Sequence, residues 1–245
     1  MPFIQQNMTV IFYSLLAGLS TISGTLLLIY RKSIATKYSS FFVSFSAGFL
    51  LSLSLLHLLP EAAEIYPYSF HIALAGFTLF YIIENIIMIH PCHDDKCEMH
   101  RVGLLSFIGL LFHSFIDGVA IVIGFEVSPQ IGILTLLGVI LHEMPEGVIV
   151  TGILLNTGTF SLKKVWIYSV SVALATPVGA LIALLILGNL SDKITAALLA
   201  FTAGTFLYLS ASSLIPQTHR MKNKTNALLL ISGIILVVIL EKILH

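Results

Sequence analysis

Two short segments, "HSFIDG" (residues 113–118) and "HEMPEG" (142–147), interrupt stretches that are otherwise almost wholly apolar. His113 and Asp117 stand four residues apart, as do His142 and Glu146. On a helix each pair shares one face, so each segment offers an imidazole and a carboxylate as a two-toothed arm. Glu143 lies one step round from His142. Nitrogen and oxygen ligands in this mixture suit Zn²⁺, Fe²⁺ and Mn²⁺. Sites for Ca²⁺ or Mg²⁺ would be built from oxygen alone. The plain alternative is a set of interhelical hydrogen bonds or ion pairs. A charge at the bilayer centre costs about 2.5–3.5 kcal/mol even on the lenient insertion scale. A His-x-x-x-acid-Gly pattern repeated on neighbouring segments therefore favours a bound cation, which offsets that cost.

The elements that must position these arms are membrane helices. The chain has 245 residues, of which 57% are hydrophobic and only 10% charged. A soluble domain carries about 25% charged residues. Apolar runs near the roughly 20 residues that cross a bilayer recur along the whole length. The sequence predicts an all-α polytopic membrane protein with eight transmembrane helices, forming a single transmembrane domain over 1–245. The spans fall at 8–30, 40–60, 69–90, 103–125, 130–155, 165–188, 194–216 and 226–244. The first ends in "YRKS" rather than a small-residue cleavage site, and reads as a retained span. Pro145 should kink the fifth span and free the carbonyl of Leu141 towards whatever cavity the site lines. Gly118 and Gly147 should let neighbouring helices come close.

Arg31, Lys32, Lys37, Lys96, Arg101, Lys163, Lys164, Arg220, Lys222 and Lys224 all fall in loops on one side of this eight-span arrangement. The opposite side keeps Lys193 and Lys242. The bias places the first set in the cytoplasm and both termini outside it. There is also an internal echo. "FSAGFLLSLSLLHLLPE" (45–61) aligns without gaps to "FTAGTFLYLSASSLIPQ" (201–217), matching Ala47-Gly48 to Ala203-Gly204 and Pro60 to Pro216. Spans two and seven run in opposite directions. Spans one to three and six to eight are thus expected to form an inverted repeat around spans four and five, a pattern of secondary transporters.

Other residues sit near the ends of such a path. His57 and Glu61, four apart near the outer end of span two, could catch ions at the entrance. Glu84 lies in the inner half of span three and needs a partner, either a basic loop residue or metal in transit. The loop 90–101, "HPCHDDKCEMHR", concentrates His90, Cys92, His93 and Cys97. On the cytoplasmic side these thiols stay reduced. A short Cys/His-rich tract reads as metal binding, here accepting or sensing ions that leave the pore.

"HSFIDGVAIVIGF" and "LHEMPEGVIVTGIL" resemble the fourth and fifth spans of the ZIP family of divalent-metal transporters. "HLLPEA" (57–62) is similar to that family's second span and "AGTFLYLSASSLIPQ" to its seventh. The resemblance implies eight helices, a transport site made by His113, Asp117, His142 and Glu146, and delivery of metal into the cytoplasm. It also implies a homodimer and elevator-like alternating access. This chain departs from the family's two-metal pattern. Ser114 stands where an asparagine often follows the first histidine, and Thr176 stands where a glutamate can precede Pro177. A second ion would have to draw on Ser114 and Glu143, so one tightly held ion is expected.

The function expected is transport of divalent transition-metal ions into the cytoplasm. Zinc is the first substrate, with Fe²⁺, Mn²⁺ and Cd²⁺ next, and no prosthetic cofactor. The setting is the lipid bilayer of the cell membrane, with no nucleic-acid partner. One competing reading is an intramembrane zinc hydrolase, since "HEMPE" partly matches His-Glu-x-x-His, but its second histidine is missing. Another is a metal sensor without flux.

Overall fold

The computed structural model of the protein describes residues 2–88, 95–156, 160–187, 191–220 and 224–244. Among the described residues every regular element is helical. In chain order these are α1 (Pro2–Tyr30), α2 (Lys32–Leu53), α3 (Leu59–Ile65), α4 (Ser69–Met88), α5 (Asp95–Val127), α6 (Pro129–Asn156), α7 (Leu162–Leu187), α8 (Asp192–Tyr208), α9 (Ile215–Arg220) and α10 (Lys224–Leu244). Two π-helical turns, Ser54–Leu58 and Leu209–Leu214, splice α2 to α3 and α8 to α9 into longer rods. Among the described residues, six of the resulting helices are long and apolar enough to cross a membrane. Large apolar side chains such as Phe70, Leu74, Leu185 and Leu228 lie on the outside, where lipid rather than water suits them.

The helices begin earlier than hydropathy alone predicts. Lys32 opens α2 directly after Arg31, and α5 begins at Asp95. Thus 95–101, expected in the loop, forms the first turns of α5. Residues 90–94 lie outside the described residues, so His90, Cys92 and His93 have no structural account, and Cys97 is placed only as part of the α5 backbone.

Both π turns have the same cause. Pro60 and Pro216 carry no N–H, and each ring crowds the turn before it. The chain widens there: the Leu59 N–H reaches back to the Ser54 carbonyl, and the Ile215 N–H to the Ser210 carbonyl, five residues instead of four.

Packing divides the helices into two groups. In the first, α5 lies on α7, α1 on α6, α5 on α6, and α1 on α7. In the second, α2 lies on α10 and α4 on α8, with the two π turns joining them. Glycines set the tightest seams. A Cβ on Gly48 would stand 1.9 Å from the Leu230 carbonyl oxygen, and one on Gly204 would stand 1.9 Å from that of Ala73. Between the groups α2 runs along α6, and the shared core there includes Phe49, Leu50, Leu53, Val139 and Phe206.

Candidate metal centre

Helices α5 and α6 follow one another across a single residue, Ser128, and pack side by side, which brings the two arms face to face. His113 Nε2 lies 3.3 Å from Asp117 Oδ2 on its own helix and 3.2 Å from Glu146 Oε1 on the next. His142 Nε2 lies 3.1 Å from Asp117 Oδ2. Donor atoms of His113, His142 and Glu146 all fall within 4.8 Å of one another. His142 Nδ1–H donates to the Gly138 carbonyl at 2.7 Å, which leaves Nε2 with its lone pair aimed at the cluster. His113 Nε2, Asp117 Oδ1 and Glu146 Oε2 have no hydrogen-bond partner among the described residues. Nitrogens and carboxylate oxygens crowded this closely repel unless protons or a cation stand among them. The set could hold a tetrahedral divalent ion, with two imidazoles and two carboxylates as ligands.

Aromatic rings from the second helix group wall the imidazoles. Phe80 of α4 stands edge-on to His113, with ring centroids 5.6 Å apart, and Phe206 of α8 stands edge-on to His142 at 6.0 Å. Asp117 and His142 are fully sealed, whereas His113 and Glu146 keep 8% and 7% of their surface exposed. That exposure opens on a cavity of about 300 Å³ lined by Glu84, Gly109, Ile153, Tyr208, Ser213 and Gln217 among others. Glu84, whose partner the sequence left open, accepts hydrogen bonds from the Tyr208 hydroxyl and, at 3.4 Å, from Ser213 Oγ.

The remaining predicted site residues are placed as follows. Glu143 is fully buried, and its two oxygens accept from the hydroxyls of Thr21 on α1 and Thr176 on α7. Ser114 is fully buried, with no partner for its hydroxyl among the described residues. His57 sits on the first π turn and is buried; Glu61 sits on α3, partly exposed. Neither lines the cavity that reaches His113 and Glu146. Pro145 does free the Leu141 carbonyl, but Ser46 Oγ of α2 donates to it at 2.6 Å, so it is capped rather than offered to an ion.

Sequence reasoning passed over Thr21, Ser46 and Phe80. The findable signal for Thr21 is its spacing. Thr21-x-x-Gly24 repeats as Thr176-x-x-Gly179, and both glycines meet the helices of the arms: a Cβ on Gly24 would stand 2.0 Å from the Met144 oxygen, and one on Gly179 2.0 Å from that of Phe115.

A bundle of apolar helices with paired histidines and carboxylates buried at its centre defines a polytopic membrane protein built around an intramembrane metal-type site. Residues 90–241 match the family model described as ZIP zinc transporter. Over 91% of its length the chain is 30% identical to the zinc transporter ZupT of Chlorobium limicola, covering 91% of that protein. It is 33% identical to ZupT of Chlorobium phaeovibrioides over 84% of the chain and 86% of the relative. It is 32% identical to ZupT of Oceanobacillus iheyensis over 87% and 90%. The chain belongs to the ZIP zinc transporter family.

Proposed function

We propose that this protein carries divalent transition-metal ions, zinc foremost, across the cell membrane into the cytoplasm through a site made by His113, Asp117, His142 and Glu146. The observation that carries the reading is the convergence of four electron-pair donors, on two matched helical arms, at 3.1–3.3 Å contacts inside an apolar bundle. Fe²⁺, Mn²⁺ and Cd²⁺ are alternative substrates of the same ligand set. The ion is cargo, and no enzymatic step is assigned to the site.

Eight spans arranged as an inverted repeat are part of this reading. The pairings support it. Exchanging α1 with α7, α4 with α10, α5 with α6, and the α2–α3 rod with the α8–α9 rod maps the main helix contacts onto one another. Gly48 against Leu230 exchanges with Gly204 against Ala73, and Gly118 against Thr176 with Gly147 against Thr21. The π turns also exchange. With the basic loops in the cytoplasm and both termini outside, the 300 Å³ cavity opens inwards, since it is lined by the N-terminal part of α5 and the C-terminal part of α6. Elevator-like motion fits the packing. Backbone-tight glycine contacts run within each helix group, whereas Gly138, at the α2–α6 boundary, meets only side-chain ends of Phe49, Leu50 and Leu53. The working unit in this reading is the homodimer that the family resemblance implies.

Radiometal uptake into vesicles holding the purified protein tests the proposal, run beside peptide and lipid hydrolysis assays. Asp117→Ala and Glu146→Ala should each nearly abolish uptake while the protein still inserts. Wild-type uptake by both variants would remove these residues from the site. Hydrolysis without uptake would return the protein to the enzyme class.

A further inference from the structure

Three carboxylates lie at the centre of the bundle, and they are not treated alike. Asp117 Oδ1 and Glu146 Oε2 have no hydrogen-bond partner among the described residues, and each residue's other oxygen faces an imidazole. Glu143 has both oxygens engaged, Oε2 by Thr21 Oγ1 and Oε1 by Thr176 Oγ1. All three of these residues are buried, Asp117 and Glu143 completely and Glu146 with its edge on the cavity. A ligand must present a free lone pair to its ion, so the first two carboxylates are poised for a cation and the third is already occupied.

The two threonines are not a chance pair. They hold equivalent positions in the Thr-x-x-Gly segments of α1 and α7. Close approach fixes both threonine backbones: Gly147 of α6 lies against that of Thr21, and Gly118 of α5 against that of Thr176. The residue of α5 equivalent to Glu143 is Ser114, which has no acidic group to offer. A single carboxylate therefore serves both threonines, and it joins α1, α6 and α7 where the helices of the first group converge.

We propose that Glu143 is a positioning residue and not a metal ligand: clamped by Thr21 and Thr176, it braces α1, α6 and α7 into one body and confines the site to one ion. The proposal rests on the transport reading for its kinetic consequence and on metal binding alone for the rest.

The test uses full-length protein in which Cys92, His93 and Cys97 are replaced, so that zinc binding in detergent reports the core. Zinc titration of this parent should give one ion per chain. Glu143→Gln keeps an acceptor for one threonine and an amide donor for the other, whose hydroxyl can accept. Its zinc affinity should stay within threefold of the parent, whereas Glu146→Gln should lose at least tenfold. In vesicles, Glu143→Ala should lower the maximal uptake rate at least fivefold with KM within twofold of the parent. Glu143→Gln should restore most of that rate. The double variant Thr21→Val/Thr176→Val, which leaves the carboxylate in place and removes its clamps, should reproduce the alanine phenotype. The proposal is overturned if Glu143→Gln loses as much affinity as Glu146→Gln. It is also overturned if the parent binds two ions and Glu143→Gln one, or if both Glu143→Ala and the threonine double variant transport at the parent rate. A parent with no uptake at all would sink the transport reading, while the comparison of Gln variants in detergent would still decide the role of Glu143.

Discussion

Gly147→Ala and Gly138→Ala add the same methyl group to the same helix and should have opposite outcomes. At Gly147 the new Cβ would stand 2.0 Å from the backbone oxygen of Thr21 and 2.8 Å from its carbonyl carbon. Backbone atoms cannot rotate away, so α1 and α6 must part by 1.0 Å to restore even a 3.0 Å contact. A radial gap of 0.5–1 Å forfeits roughly a quarter to a half of each dispersion contact along the seam. Overpacking of this kind costs about 1–3 kcal/mol. It also draws Thr21 away from Glu143. At Gly138 the Cβ would meet only Leu50 Cδ2 at 3.0 Å, Leu53 Cδ2 at 3.1 Å and Phe49 Cε1 at 3.4 Å, atoms at the ends of side chains that can give way. Both substitutions gain the same helix propensity, about 1 kcal/mol over glycine. The difference between them therefore isolates the close approach. Thermal unfolding of the two purified variants should show Gly147→Ala melting roughly 2–12 °C below Gly138→Ala. Gly138→Ala should melt at or above wild type. Vesicle uptake should fall only for Gly147→Ala. Equal melting points for the two variants, or a lower one for Gly138→Ala, would refute the account of the seams.

Ser46→Ala leaves the Leu141 carbonyl without its donor across the α2–α6 boundary. Losing about 0.5–1.5 kcal/mol there should shift the equilibrium constant against the arrangement with the open cavity by roughly two- to tenfold. A cysteine placed at Ile153, in a chain lacking Cys92 and Cys97, should then react more slowly with a soluble thiol reagent, and an unchanged rate counts against this role for Ser46. Replacing Cys92, His93 and Cys97 together should alter the maximal rate or regulation of uptake without removing metal from the core, and complete loss of uptake with normal membrane insertion would contradict this. Uptake should decline as the external medium is acidified, because a protonated imidazole has no lone pair for a metal. Faster uptake under an imposed inward proton gradient would be the contrary result.

The arms of the site were legible because charge inside a lipid-like run is costly and therefore conspicuous, and because spacing of four fixes a shared helical face. The prolines were legible too, but only as perturbations. Pro145 was expected to bare a carbonyl to the cavity, and a serine from another helix takes it instead. That serine, like Thr21, carries no charge and belongs to a residue type common in membrane helices. Its role depends on which helix lies opposite, and local pattern does not say so. Helix ends were missed for a related reason. Hydropathy marks where a helix enters lipid, whereas 32–39 and 95–102 continue the helix through polar residues that hydrogen-bond their own backbone equally well. The echo between 45–61 and 201–217 pointed to matched rods, and the two π turns sit inside it at matching places.

The unequal exposure of the four proposed ligands bears on rectification. His113 and Glu146 face the cavity, whereas His142 and Asp117 are sealed on the far side. Each side of the site thus presents one imidazole and one carboxylate, and each of those two comes from a different helix. An ion departing through the cavity is held last by a histidine and a glutamate. An ion arriving from the other face is met first by a histidine and an aspartate. The coordination sphere is close to palindromic, so the strength of its grip gives little preference for either direction of travel. Net flux through such a site follows the free-ion concentrations on the two faces. A one-way bias would then come from the flanks: Glu84, Ser213 and Gln217 on the cavity side, with His57 and Glu61 on the α2–α3 rod.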